Sequence, residues 1–127
     1  MNPPESSRPM LFAVEIRTTR WEELVEWYRT SLGLRVLVRV TDDRYALLEA
    51  GAARLAILGR AATGAGSGRW SLAFETADLD AAHARLTAAD PAVAPPVVHV
   101  EGFRELRATD PDGNQVRLFA WPSNHDH

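Results

Sequence analysis

The sequence of 127 residues contains neither cysteine nor lysine, so all 14 of its basic residues are arginine. Without cysteine, the chain can form no disulfide, thiol nucleophile, or cysteine-ligated zinc or iron–sulfur site of its own. Without lysine, Schiff-base chemistry on pyridoxal phosphate or on a carbonyl substrate is excluded. Any anion that this protein holds must therefore be held by arginine or by neutral hydrogen-bond donors.

Long apolar runs are also missing. No run approaches the length of about 18 residues that a membrane-spanning helix needs, and the first ten residues lack the order of a signal peptide. The formal net charge is −3 and the arginines are scattered, which argues against nucleic acid as a partner. We therefore expect a cytoplasmic protein with no membrane or nucleic-acid partner.

The first half of the chain follows the order strand, helix and three strands. Residues 10–17 alternate between apolar and polar side chains and predict a half-buried strand. Thr19 and Glu22 predict a capping box for a helix over residues 21–32, which Gly33 ends. Three short alternating segments predict the strands, at residues 34–40, 44–49 and 54–58.

The second half repeats this order. Residues 70–75 alternate, Asp78 is placed to cap a helix, and Asp90 followed by Pro91 ends that helix. Three further strands are predicted at residues 97–100, 103–109 and 115–121, the last two joined by the turn DPDGN at residues 110–114. A duplicated βαβββ unit predicts an α+β fold with a cupped, mostly antiparallel eight-stranded sheet.

The same pattern predicts the domain organisation. We expect one domain over residues 10–121, made of a first module at 10–60 and a second at 70–121. The glycine-rich segment 61–69 is predicted to be the linker between them. Residues 1–9 and 122–127 are predicted to be flexible tails.

Three segments carry a resemblance to a known family: WEELVEWYRTSLGL, LAFETADLD and FRELRATDPDGNQVRLF. In order and spacing, residues 11–121 resemble the glyoxalase, bleomycin-resistance and extradiol-dioxygenase superfamily, also called the vicinal oxygen chelate superfamily. The resemblance implies the same fold and a ligand site in the concave sheet. It also implies that the hairpin DPDGN precedes a strand with a functional side chain.

The metal site of that family draws one His, Gln or Glu from each of four strands. By the resemblance, those positions fall at Ala13, near Ala56, at Ser71 and at Arg117. Alanine and serine are not competent ligands here, and a guanidinium has no lone pair to give to a cation. We therefore expect neither a metal nor any other cofactor, which argues against the family's metal-dependent isomerase or dioxygenase chemistry.

Strand alternation selects the side chains that should face the cup. Apolar neighbours such as Val116 and Leu118 should pack under the helices and turn Arg117 into the cavity. The residues predicted to bind the ligand are Glu15, Arg17, Ser71, Glu75, Gln115, Arg117 and Phe119. We expect Arg117 to clamp a polar or anionic ligand and to lie near Glu15 and Glu75. The alternative is that these charges pair with one another as a solvated ion network.

The four histidines are weaker candidates. His83 lies beside an apolar helical stripe, which favours a packed side chain. His99 lies in a strand of uncertain register. His125 and His127 belong to the terminal segment NHDH, where a tail is favoured over a metal site.

Three classes of function remain open. The favoured one is metal-free binding of a small molecule by a homodimer, since two-fold pairing is the default for soluble oligomers. The second is a lyase or isomerase in which Glu15 or Glu75 acts as acid or base. The third is a module that binds a protein partner through its sheet face.

Overall fold

The structure is a computed structural model in which residues 11–61, 64, 66 and 71–122 are described. The first module comprises β1 (Val14–Thr18), α1 (Trp21–Glu26), a π-helical segment (Trp27–Ser31), β2 (Arg35–Val40), β3 (Tyr45–Ala50) and β4 (Ala53–Gly59). The second comprises β5 (Leu72–Glu75), α2 (Leu79–Ala89), β6 (Val97–Val98), β7 (Arg104–Thr109) and β8 (Gln115–Ala120). The predicted linker and both predicted tails lie almost wholly outside the described residues.

The strands form two four-stranded sheets, ordered β1-β4-β3-β2 and β5-β8-β7-β6. Within each sheet the first strand of the module runs parallel to the last, and the other neighbours are antiparallel. The predicted α+β fold of two βαβββ modules with mostly antiparallel strands is thus confirmed, with its eight strands divided equally between two sheets. Among the described residues, β1 and β5 are edge strands.

The apolar face of each sheet packs against the helices, as strand alternation predicted. Val116 and Leu118 are buried, and Ile16 and Phe74 pack against the same core from β1 and β5. The core also contains side chains from both modules' helices, among them Trp21, Leu24, Tyr28, Leu79 and Leu86. Alternate side chains of each strand project from the opposite side of the sheet. We call that side the outer face.

The start of the first helix differs from the prediction. Thr19 and Glu22 do not form a capping box; Arg20 occupies the N-cap position without a side-chain cap. The reason is that β1 continues to Thr18, whose buried hydroxyl accepts a 2.9 Å hydrogen bond from the Arg20 amide. The hydroxyl that stabilises this turn therefore belongs to Thr18, the last residue of β1, and not to Thr19.

Other local signals behave as predicted. The Asp78 carboxylate accepts a 3.0 Å hydrogen bond from the Ala81 amide and so caps α2, which ends before Asp90. Gly33 adopts φ 83°, a left-handed conformation that glycine tolerates, directly after the first helical region. The His83 side chain is partly buried, with Nε2 3.3 Å from the Val93 carbonyl oxygen.

Candidate functional site: the outer face of the second sheet

The outer face of the second sheet collects charged and aromatic side chains in two rows. Strand pairing places Ala73, Arg117 and Arg107 side by side across β5, β8 and β7. In the next row it places Glu75, Phe119 and Glu105 side by side. Residues that pair directly across strands project from the same face, so these two rows share one surface.

A glutamate lies at the centre of this surface. Arg117 Nε donates a hydrogen bond to Glu105 Oε2, His99 Nε2 lies 2.7 Å from Glu105 Oε1, and Arg107 Nε lies 3.5 Å from Oε2. The Glu105 side chain is only 5% exposed although it belongs to the outer face, because these three side chains cover it. We call His99, Glu105, Arg107 and Arg117 the charged cluster.

The charged cluster fixes the ionisation of its glutamate. The hydrogen bond from Arg117 holds the pKa of Glu105 below its ordinary value, and the hydrogen bond with His99 acts in the same direction against the opposing effect of burial. Because the carboxylate is ionised, it accepts, and His99 Nε2 donates. Among the described residues, His99 Nδ1 has no hydrogen-bond partner.

Three aromatic residues lie beside the charged cluster. The Phe103 ring stacks on the His99 ring with centroids 4.3 Å apart. The centroid of the Trp121 ring lies 6.2 Å from that of Phe103 and 5.4 Å from that of Phe119, and both contacts are edge to face. We call Phe103, Phe119 and Trp121 the aromatic group. Together the two sets form one continuous surface, which carries both positive charge and aromatic rings.

The predicted site residues are not all brought together. Arg117, Phe119, Glu75 and Gln115 lie on β5 and β8 of the second sheet, and Ser71 directly precedes β5. Glu15 and Arg17 lie on the first sheet, where their side chains approach each other at 3.8 Å and are about half exposed. The structure thus places the predicted residues on two separate sheets.

Of the two glutamates predicted to lie near Arg117, Glu75 shares its outer face, in the neighbouring row beside Phe119, whereas Glu15 belongs to the other sheet. The ion pair of Arg117 is with Glu105. Sequence reasoning missed Glu105 and gave His99 only as a weaker candidate. The alternation of Glu105 and Arg107 with buried Leu106 was a usable signal for Glu105, whereas His99 follows a strand of only two residues, so alternation could not fix its direction.

A second feature is a cleft of about 820 Å³ between the two modules. Its walls are mainly apolar and come from β1, the β3–β4 turn, β5, α2 and the end of β8. Its charged lining residues are Arg54, Glu75 and Arg85, and Trp121 also borders it. The cleft touches only one of the predicted ligand-binding residues, Glu75.

The four positions that the resemblance gives to metal ligands lack suitable donors. Ala13 and Ser71 directly precede β1 and β5, and Ala56 and Arg117 lie on β4 and β8, so these positions offer two methyl groups, a hydroxyl and a guanidinium. Within the described ranges, no three His, Asp or Glu side chains are grouped closely enough to hold an ion. These residues do not fit a transition metal, which needs several donors.

Comparisons with known proteins agree with this architecture. The family model of the Glyoxalase/Bleomycin resistance protein/Dioxygenase superfamily matches residues 11–118. A glyoxalase/bleomycin resistance protein/dioxygenase from Nocardioides is 26% identical, with 94% of this chain and 88% of that chain covered and a TM-score of 0.68. Comparison with curated proteins gives no match.

Two further solved structures share the fold at lower identity. The fosfomycin resistance protein FosX from Listeria monocytogenes is 13% identical over 91% of this chain and 96% of its own, with a TM-score of 0.74. TnmS3, an antibiotic binding protein from Streptomyces sp. CB03234, is 22% identical over 92% and 98%, with a TM-score of 0.71. The paired βαβββ modules and the match of the family model place the chain in one class. It belongs to the Glyoxalase/Bleomycin resistance protein/Dioxygenase superfamily.

The described residues contain no helix that is long and apolar enough to cross a membrane.

Proposed function

We propose that this protein binds a small polar or anionic molecule, without a metal, on the outer face of its second sheet. The observation that carries the proposal is the charged cluster: an arginine pair assembled on one buried glutamate, at the strand position where the family places a metal ligand. In this proposal Arg117 supplies the positive charge that a metal supplies in metal-dependent members of the family.

The charge balance of the cluster supports an anion. Two arginines face a single ionised glutamate, which leaves one positive charge in excess even when His99 is neutral. The guanidinium of Arg117 has five N–H donors, of which Nε is committed to Glu105, and its side chain is 36% exposed. The remaining donors can form a two-point contact with a carboxylate or phosphate.

The structural neighbours support a small molecule as the ligand. FosX is named as a fosfomycin resistance protein and TnmS3 as an antibiotic binding protein, so the same fold serves proteins concerned with small molecules. Because fold alone does not fix function, the proposal depends on the charged cluster rather than on these names. Cytoplasmic location stays a prediction from the sequence.

We propose further that the protein is a homodimer. Glu15 and Arg17 project from the outer face of the first sheet, and Arg117 projects from the outer face of the second. Neither face alone therefore carries all of the predicted charged residues. The edge strands β1 and β5 both border the cleft between the modules, and a second copy can pair with such edges. A dimer that brings a first-module face against a second-module face would complete the cup. Sedimentation that shows a monomer at micromolar concentration would contradict it.

A lyase or isomerase is the second candidate, supported by a different residue from those predicted. Glu15 is about half exposed and Glu75 is exposed, so neither has the burial that tunes a carboxylate for catalysis. Glu105 orients the His99 ring through Nε2, which leaves Nδ1 to accept a proton. In such a reaction Nδ1 takes a proton from the carbon beside a carbonyl, and the C–H electron pair forms an enolate next to Arg117.

The second candidate has a direct test in the exchange of pyruvate methyl protons with D2O, followed by NMR. An enzyme of this kind accelerates the exchange, and His99→Gln removes the acceleration. Equal exchange with and without the protein would leave binding as the only proposed function.

The proposed binding is tested by native mass spectrometry of gently purified protein. We expect a small acid retained by the wild type and lost in Arg117→Gln. Arg60→Gln is the matched control, because Arg60 forms an exposed ion pair with Asp43 on the first module. An adduct that is equal in all three proteins would contradict the assignment to Arg117.

A further inference from the structure

We infer that the site takes a planar aromatic acid: its rings would pack on the aromatic group and its acidic group would bind the charged cluster. The inference rests on the proposed function, since it names the ligand class of the same site. The aromatic group is the additional observation. Nothing in the binding of a merely polar anion requires three aromatic rings next to the two arginines.

The aromatic group is not explained by the hydrophobic core. The core contains the buried side chains between sheets and helices, and Phe103, Phe119 and Trp121 are neither part of it nor among the residues packed against it. Trp121 is 48% exposed. Large aromatic side chains on a surface, in contact with each other and with an imidazole, are typical of a binding site for flat molecules.

The rings and the charges are within reach of one molecule. Phe119 pairs directly with Glu105 across β8 and β7 and lies two residues from Arg117 on the same face. Residues two apart in a strand are about 7 Å apart, which is close to the length of a two-ring molecule. A bicyclic acid can therefore lie on Phe119 and Trp121 while its acidic group reaches Arg117.

Charge complementarity fixes the sign of the ligand. Arg107 is 77% exposed and Arg117 is 36% exposed, while the glutamate between them is nearly buried. The accessible charges beside the rings are thus these two arginines and the exposed Glu75, which pairs with Phe119, so positive charge predominates. A neutral aromatic molecule would forgo the contact with arginine, and a small aliphatic acid would forgo the contact with the rings.

The test uses naphthalene-2-sulfonate, with methanesulfonate and naphthalene-2-methanol as probes that lack the ring and the charge respectively. Calorimetry gives the affinity of the full chain for each probe. We expect naphthalene-2-sulfonate to bind at least tenfold more tightly than either control, and its addition to shift the indole N–H signal of Trp121 in a ¹⁵N NMR spectrum.

Variants separate the two parts of the site. Trp121→Leu and Phe103→Leu keep an apolar side chain but remove a ring, and each should weaken naphthalene-2-sulfonate about tenfold. Arg107→Gln should also weaken it, and because Arg107 is largely exposed this variant tests the charge without endangering the fold. Phe12→Leu is the control, since Phe12 is an exposed ring near Arg54 on the first module.

The outcomes distinguish this inference from the proposed function. If both sulfonates bind equally, depend on Arg117 and ignore Trp121 and Phe103, the ligand class is wrong and anion binding stands. If naphthalene-2-sulfonate does not bind, or if Phe12→Leu weakens it as much as Trp121→Leu does, the inference is overturned. If no acid depends on Arg117, both proposals fail.

Discussion

The hydroxyl of Tyr28 donates a 2.7 Å hydrogen bond to Asp110 Oδ2, and both residues are buried. Tyr28 belongs to the π-helical segment of the first module, and Asp110 opens the hairpin between β7 and β8 of the second. Burial, followed by the charge of Asp110, raises the pKa of Tyr28, so it remains a donor throughout the working pH range. Asp110 also accepts from the amides of Asp112 and Asn114. One carboxylate thus shapes the hairpin and joins the two modules.

Tyr28→Phe should lower the free energy of unfolding by about 1–2 kcal/mol, because it removes a buried hydrogen bond to a charged acceptor that keeps other donors. Urea denaturation measures the change. Tyr45→Phe is the matched control and should have little effect, since the Tyr45 hydroxyl has no hydrogen-bond partner within the described part of the chain. Equal losses for the two variants would show that the contact with Asp110 contributes nothing.

Arg117→Met should destabilise the protein by about 1–2 kcal/mol. The variant leaves the nearly buried Glu105 with His99 and with the longer 3.5 Å ion pair to Arg107, and the loss is moderated because the Arg117 side chain is partly exposed. Arg60→Met, which breaks an exposed pair, should cost much less. A stable Arg117→Met protein would indicate that water satisfies Glu105 as well as the arginine does.

Stability should fall in acid through Glu105. Its pKa is lower in the folded protein than in the unfolded chain, so its stabilising contribution is fully present above about pH 4.5 and is lost as the pH falls through the folded value. Denaturation between pH 7 and pH 3 should show a smaller decrease for Glu105→Gln than for the wild type. An equal decrease in stability for the two proteins would contradict the assignment of this pH dependence to Glu105.

The purified protein should contain no stoichiometric transition metal, because Ala13, Ala56, Ser71 and Arg117 occupy the positions that the resemblance gives to the ligands. Elemental analysis is made on a chain without the terminal NHDH, so that adventitious binding by His125 and His127 is avoided. These two residues lie outside the described residues. Zinc, nickel, manganese or iron at one equivalent would refute the assignment of the ligand positions.

Much of the fold could be predicted from the sequence because it rests on local signals. Alternating apolar residues located the strands, Asp78 capped α2, and Gly33 marked the end of the first helical region. The capping box failed because a tertiary contact, the burial of Thr18, moved the cap position. Local chemistry determines an element, whereas its exact ends depend on what packs around it.

The site was predictable only in part. Alternation along β8 placed Arg117 on the outer face, but the identity of its partner depends on which strand lies beside β8 and in which register. That arrangement brought Glu105 from β7, and the loop after β6 brought His99. The hairpin DPDGN was predicted as a turn before a functional strand, but nothing in the sequence connects its Asp110 with Tyr28, 82 residues away.

The most direct measurement of the central claim is an NMR titration of the arginine Nε–H signals with succinate, benzoate and naphthalene-2-sulfonate. The account predicts that the Arg117 signal shifts saturably with at least one of these acids, while the signal of Arg60 does not. An Arg117 signal that no acid moves, or a shift shared equally by the exposed arginines, would contradict the assignment of the ligand site to the outer face of the second sheet.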